Sequence, residues 1–381
     1  MTQYKLFDAG EFLAQWVSQS SSANATIARD FLAGHAPRYA LGRNETTALL
    51  AHSVSLAGVL DDYAATEHMW NGLPLLKQDA LSSDGIVINT VVVARPVSAA
   101  RRLGALPTQR SIAYADLIRV LPEHFPLPQF VAQTREALQS HRAEFENLFS
   151  QLKDDESRRT LEDVLQYRLT ADPAFMGSYP CRMKDQYFEP FLDFPAGGVF
   201  IDAGGYEGET SIEFSQRYPG YGGIHVFEPS PTNFHKVQAS LHGMRGVTTH
   251  EVGLSDVKDT LRFSAEAGSA SKISSEGGES IAVDRLDDLV PGRVDFIKMD
   301  LEGWELNALT GARESIVKHH PILAISAYHH PLDFVRIHAY VSGLRKDYDL
   351  YLRHYTEGWI ETVLYFVPAK SGSGIASGQT P

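Results

Sequence analysis

The sequence predicts an α/β protein, with a largely parallel sheet in a C-terminal domain at residues 178–368, a smaller α/β domain at 1–125 and a helical connector at 126–177. Three observations predict it. Apolar strand-like runs alternate with helical stretches throughout the C-terminal half, the pattern of a parallel sheet covered by helices. The stretch GGVFIDAGGYEGETSIEF at 197–214 reads as a buried strand, a glycine-rich turn and a helix start. A chain of 381 residues, 43% hydrophobic and 21% charged, exceeds one ordinary core and has a globular composition.

In the first domain, PRYALGRNETTALLAHSVSLAGVLDD at 37–62 reads as a strand from Tyr39 to Leu41, a turn at Gly42, a helix through Leu56, and a strand ending at Asp61 and Asp62. GIVINTVVVARPVSAARRL at 85–103 adds a buried strand and a short helix after Pro96. The unit is like half of a nucleotide-binding domain, yet its turn has one glycine where a dinucleotide fingerprint needs three. A degenerate scaffold or recognition domain accounts for the same pattern. From Pro128 to about Ala171, Leu138, Phe145, Leu148 and Leu152 recur at helical spacing between Arg142, Glu146 and Lys153, which predicts two connecting helices. In the large domain strands are expected at 198–203, 223–228, 246–252, 294–299, 322–327, 348–354 and 359–367. The tail at 369–381 is small and polar and is expected to be disordered.

A net charge of −13 disfavours a nucleic-acid partner, whose phosphates call for clustered Lys and Arg. The single cysteine, Cys181, excludes an internal disulfide. With Asp8 and Glu11 near the start and no apolar run long enough for a leader or a span, a soluble cytoplasmic protein without a membrane partner is expected. Oligomeric state is not legible.

In a parallel sheet the ligand lies beyond the carboxyl ends of the strands, which puts the 204–209 turn at the site. A Gly-Gly turn admits a ligand close to the backbone, and a helix beginning near Thr210 aims free N–H groups at it. Asp202, Glu207 and Glu209 surround that turn, and three acids repel a diphosphate. A cofactor with a sulfonium and an ammonium and no phosphate, such as S-adenosylmethionine, is attracted instead. Glu228, ending the second strand in GIHVFEPS 20 residues past Gly208, suits a ribose, a feature shared with NAD sites. Glu207 and Glu209 also fit a solvated first helical turn, Asp256 an ordinary turn residue, and Asp284, Asp287 and Asp288 a solvated face or helix cap.

FIDAGGYEGETS, VFEPSPTNF, VGLSD, VDRLDDL, FIKMDLEGWELNALTGA and AYHHP stand in the order and spacing of the FkbM family of S-adenosylmethionine-dependent methyltransferases. The resemblance covers roughly residues 180–368. It implies the seven-stranded, Rossmann-like class I methyltransferase sheet with an antiparallel last strand, and O-methylation of a hydroxylated small molecule, a sugar or natural product. It places Asp202, Gly204, Gly205, Tyr206 and Gly208 around the methionine part and Glu228 on the ribose. Ser255 and Asp256 approach the adenine, and Asp300, in KMDLEG, lies on the floor of the site in a cofactor-binding or catalytic role. His329, in ILAISAYHHP, matches the family's motif and is the candidate general base. Its plainer role is a hydrogen bond to a loop carbonyl.

If the fourth strand stays extended through Glu302, Asp300 and Glu302 project to one side, and His329 or His330 could join them around a divalent metal. Metal dependence is the less favoured reading, because two acids after a strand more often cap a helix or bind substrate. His319 and His320 belong to the opposite end of their strand and are expected at the surface. The competing functional classes are an NAD-dependent oxidoreductase or sugar epimerase, and a non-catalytic nucleotide-binding protein.

Overall fold

A computed structural model describes residues 5–64, 67–106, 110–264, 272–273 and 279–370; the tail from residue 371 lies outside them. The chain forms two compact units. The first comprises Met1–Gln186 with Ala327–Val335 and Leu352–Val363, and the second Tyr187–Ser326 with Arg336–Tyr351 and Leu364–Pro381.

The first unit is built on β1 (Arg38–Leu41), β2 (Gly58–Leu60), β3 (Met69–Trp70), β4 (Leu73–Leu76), β5 (Ile86–Asn89) and β6 (Arg110–Ala113), in the order β3-β4-β2-β1-β5-β6. All neighbours are parallel except the β3–β4 hairpin. The expected strand, turn and helix follow at β1, at Gly42 with φ 100° and at Glu45–Ser53. The helix ends before Leu56 because Val54 is already extended. At this turn the chain satisfies its own charges: Arg43 pairs with Asp61 at 2.6 Å, and the Thr47 hydroxyl donates to the Gly42 carbonyl at 2.6 Å. Two helices precede β1, Ala9–Ser18 and Ser22–Ala33, each started by a side-chain cap from Asp8 or Ser21.

The connector holds three helices, Gln129–Ser140, Arg142–Gln151 and Asp155–Thr170, where two were expected. The apolar period runs across a break at His141, whose φ of −127° interrupts the helix, so periodicity alone hides the division. Leu138, Phe145, Leu148 and Leu152 are all buried, as that period requires.

The second unit carries most of the seven-stranded sheet, residues 352–354 and 362–363 of its last two strands being grouped with the first unit. Its strands are β7 (Val199–Ala203), β8 (Gly223–Phe227), β9 (Val247–His250), β14 (Phe296–Met299), β15 (Ile322–Ser326), β16 (Tyr348–His354) and β17 (Thr362–Pro368), in the order β16-β17-β15-β14-β7-β8-β9. The run from β15 to β9 is parallel and the last strands are antiparallel. Phe200 on β7 stacks on Phe214 of the helix Glu209–Arg217 at 4.1 Å, and Phe296 on β14 lies 5.1 Å from Phe200. This aromatic cluster fixes the helix on the sheet, and with it the turn that precedes the helix.

Between β9 and β14 the chain inserts a four-stranded sheet that the sequence did not announce. It is made of β10 (Gly253–Leu254), β11 (Asp259–Ser264), β12 (Lys272–Ile273) and β13 (Glu279–Asp284), in the order β10-β13-β11-β12. Among the described residues no helix is long and apolar enough to cross a membrane.

Candidate active site

The site is built where β7, β8 and β14 end. After Ala203 the chain reverses through Gly204 (φ 82°), Gly205, Tyr206 (φ 49°) and Gly208 (φ 94°). Glycine at 204 is dictated twice, by its left-handed backbone and by crowding, since a Cβ there would stand 2.0 Å from the Asp300 carbonyl oxygen. The N–H groups of Gly204 and Gly205 both donate to the Phe227 carbonyl at 3.0 Å, which ties the turn to the end of β8.

Asp202 takes a role that the sequence did not indicate. It is fully buried, and its carboxylate accepts from the Ser211 hydroxyl at 2.6 Å and from the Lys298 ammonium at 3.0 Å. Lys298 is its direct register partner across the β14–β7 pair, and also donates to the carbonyls of Ala203 at 3.2 Å and Gly204 at 2.7 Å. One buried cation thus neutralises Asp202 and pins the turn from beneath. The Glu207 carboxylate likewise pairs with the Lys236 ammonium at 2.6 Å, which raises the lysine's proton affinity. The local negative charge is therefore smaller than three acids imply. Glu209 opens the helix in an exposed first-turn position, as the helix dipole favours.

Glu228, just beyond β8, is buried and braced by two backbone donors: Tyr206 N–H to one carboxylate oxygen and Ser230 N–H to the other, each at 2.9 Å. Burial raises its proton affinity, and these two N–H groups oppose that effect. Tyr206 spans the turn, its backbone on Glu228 and its side chain exposed.

Ser255 and Asp256 follow β10. The Ser255 hydroxyl donates to Asp256 at 3.0 Å and accepts from the Trp304 indole at 3.2 Å, and the Asn307 amide donates to Asp256 at 3.1 Å. The Asn307 bond holds the Asp256 carboxyl below the usual range. Asp287 caps a helix other than its own, accepting from the N–H groups of Glu314 at 2.8 Å and Ser315 at 2.9 Å.

The condition set for an Asp300 and Glu302 metal pair is not met. β14 stops at Met299, and Glu302 sits in a turn with φ 54°, so strand alternation does not put the two carboxylates on one side. The turn is held by Glu305, which accepts from Leu301 N–H at 2.7 Å. Asp300 accepts from the Tyr187 hydroxyl at 2.9 Å. His329, itself half-buried, lies three residues past the end of β15, in a segment grouped with the first unit. His319 and His320 are half-buried rather than surface residues, and His320 closes its helix in the left-handed conformation. Lys298, Tyr187 and Glu305 are the residues that motif reading passed over.

A seven-stranded sheet of this order, with its last strands antiparallel, is the class I methyltransferase fold, and the glycine turn and the buried Glu228 stand after its first two strands. Residues 202–356 match the family profile of the methyltransferase FkbM domain, and the chain carries that domain. The fold is similar to that of the methyltransferase FkbM from Methylobacillus flagellatus, with 24% identity and a TM-score of 0.71 over 94% of this chain and 98% of the other. Weaker likenesses include an rRNA methylase from Streptococcus thermophilus, with 14% identity and a TM-score of 0.32 over 46% of this chain and 90% of that one. Another is Aeropyrum pernix fibrillarin in complex with S-adenosyl-L-methionine, with 10% identity and a TM-score of 0.31 over 49% of this chain and 74% of that one. No curated protein matches the chain.

Proposed function

We propose that this methyltransferase uses S-adenosylmethionine to methylate a hydroxyl oxygen of a small molecule, of the sugar or natural-product kind. The observation that carries the reading is Glu228. Each of its oxygens accepts one backbone N–H, and a carboxylate oxygen has a second lone-pair site, so the group is preset to accept from two ribose hydroxyls. The residues present fit the cofactor at its other end as well. Asp300, whose backbone carbonyl closes on Gly204, carries a carboxylate that suits the ammonium of the methionine part, and Asp256 offers an acceptor for an exocyclic amine. A diphosphate finds a poorer fit, because the helix beside the turn opens with Glu209.

The bound cofactor supplies an electrophilic methyl carbon. The chain's own work is to hold the reactants in line and to receive a proton. In this reading a ring nitrogen of His329 takes the acceptor's hydroxyl proton as oxygen attacks. Calorimetry tests the cofactor half: binding of S-adenosylhomocysteine without binding of NAD supports it, and the reverse result overturns it in favour of a dehydrogenase or epimerase. Mass spectrometry of metabolite extracts incubated with protein and an isotopically labelled methyl donor tests the acceptor half. Cofactor binding with no labelled product across hydroxylated acceptors would favour a non-catalytic protein.

A further inference from the structure

Tyr187, in the stretch DQYFEP, belongs to none of the motifs that mark the methyltransferase domain, yet it is locked on every side. Its backbone has φ 70°, a conformation that a bulky residue adopts only when its surroundings impose it. Its N–H donates to the Tyr365 hydroxyl at 3.0 Å, and the residue is 4% exposed. The phenol oxygen lies 2.9 Å from an Asp300 carboxylate oxygen and 3.1 Å from the Ser326 hydroxyl. The Lys298 ammonium stands 5.3 Å from the ring centroid. Asp300 and Ser326 mark the carboxyl ends of β14 and β15, so one phenol ties together the ends of two central strands.

The chemistry fixes the direction of the chain. A carboxylate accepts only, so the phenol proton goes to Asp300, and the phenol oxygen then accepts from Ser326. Asp300 in turn abuts the cofactor turn: its N–H donates to the Ala203 carbonyl at 3.1 Å, and its own carbonyl closes on Gly204.

We propose that Tyr187 is a positioning residue that orients the Asp300 carboxylate toward the ammonium of the cofactor's methionine part. This inference rests on the cofactor reading above. Strain at the Tyr187 backbone, together with a charge-assisted bond to a group at the turn, is the combination by which a fold sets one carboxylate in advance.

The test compares S-adenosylhomocysteine, which carries the ammonium, with 5′-methylthioadenosine, which lacks the amino-acid part, by calorimetry on the full chain. Tyr187→Phe is expected to weaken S-adenosylhomocysteine about tenfold, the lower end for a hydrogen bond to a charged group, and to leave methylthioadenosine unchanged. Asp300→Asn shows the same selectivity, and Tyr187→Phe adds less than about twofold on top of it, because the phenol acts through that carboxylate. Equal losses for both ligands indicate general loosening and overturn the proposal, as does no loss for either. If Tyr187→Phe does not fold, Ser326→Ala serves in its place, with an expected loss of about threefold confined to S-adenosylhomocysteine; an unselective or absent effect again overturns the proposal. Failure of the unaltered protein to bind S-adenosylhomocysteine is a separate outcome, and overturns the cofactor reading and this inference with it.

Discussion

Replacing Lys298 by methionine tests the link between the buried ion pair and the cofactor turn. Methionine fills much of the lysine's volume and removes the ammonium, so Asp202 is left fully buried on the Ser211 hydroxyl among the described residues. Lys298 and Asp202 have side-chain exposures of 3% and 0%, so water neither screens the pair nor rehydrates the orphaned carboxylate. Removing one partner of such a pair typically destabilises by about 3–5 kcal/mol, and the carbonyls of Ala203 and Gly204 lose a donor at the same time. Against a total stability on the order of 5–15 kcal/mol, that is a large fraction. Urea unfolding followed by circular dichroism measures it. With a slope of about 1–3 kcal/mol per molar urea, the midpoint falls by at least roughly 1 M. Combining Lys298→Met with Asp202→Asn removes both charges and keeps an acceptor for Ser211, so at least half of the loss returns. A single variant within about 1 kcal/mol of the unaltered protein, or a double variant no better than the single, refutes the buried-pair reasoning.

Glu228→Gln keeps the side chain's shape and removes its charge, and is expected to weaken S-adenosylhomocysteine by about tenfold or more in calorimetry; an unchanged dissociation constant removes Glu228 from the site. His329→Ala is expected to lower kcat by about a hundredfold or more with little change in cofactor affinity, and near-normal turnover rules it out as base. His354 is buried and its proton affinity is pushed down to about 3, chiefly by burial. Below an unfolded-state value near 6.5 the unfolded chain therefore binds a proton that the fold refuses, and stability drains as pH falls toward 3, by about 1.4 kcal/mol per pH unit. His354→Gln should flatten the dependence of urea stability on pH between 6.5 and 5 by that amount, and equal slopes refute it. A fragment beginning near residue 175 is expected to lose cooperative unfolding, because residues 327–335 and 352–363 would be left without the rest of their unit; a fragment that unfolds cooperatively and binds S-adenosylhomocysteine like the full chain refutes that.

What could be read from the sequence was local. Strand, glycine turn and helix at 199–217 are legible because apolar runs, turn residues and helix period lie in one short window. The place of Glu228 at the end of the second strand was legible in the same way. Lys298 and Tyr187 were not, because each acts on a group far along the chain: 96 residues separate Lys298 from Asp202, and 113 separate Tyr187 from Asp300. A signal for the first pair was nevertheless present. FIDA and FIKM are buried strands that each carry one charge, of opposite sign, and a lone charge in a buried strand demands a partner. No such signal marks Tyr187, since a tyrosine in a loop is ordinary and only its backbone conformation and partners set it apart. The four-stranded insertion was missed because β10 is two residues long and β12 another two, below the length at which alternation can be recognised.

The domain division is a different case. Composition and periodicity place a boundary at one point along the chain, whereas packing follows contacts that are distant in sequence. Arg168, on the helix Asp155–Thr170, is 1% exposed, and its guanidinium donates to the Tyr328 carbonyl at 2.9 Å. It also stands over the rings of Phe334 at 5.6 Å and Trp359 at 5.5 Å. Arg353 is nearly as buried and pairs with Asp154 at 2.7 Å, while Ser98 donates its N–H and its hydroxyl to Glu357 at 2.6 Å each. Charged groups this deep need partners in place as the chain folds. Residues 327–335 and 352–363 are therefore held by the helical connector and the helix Pro96–Gly104, although the motif to which His329 belongs marks the first of these segments as methyltransferase sequence. The same helix that motif reading took for a linker thus holds the turn that carries the candidate base.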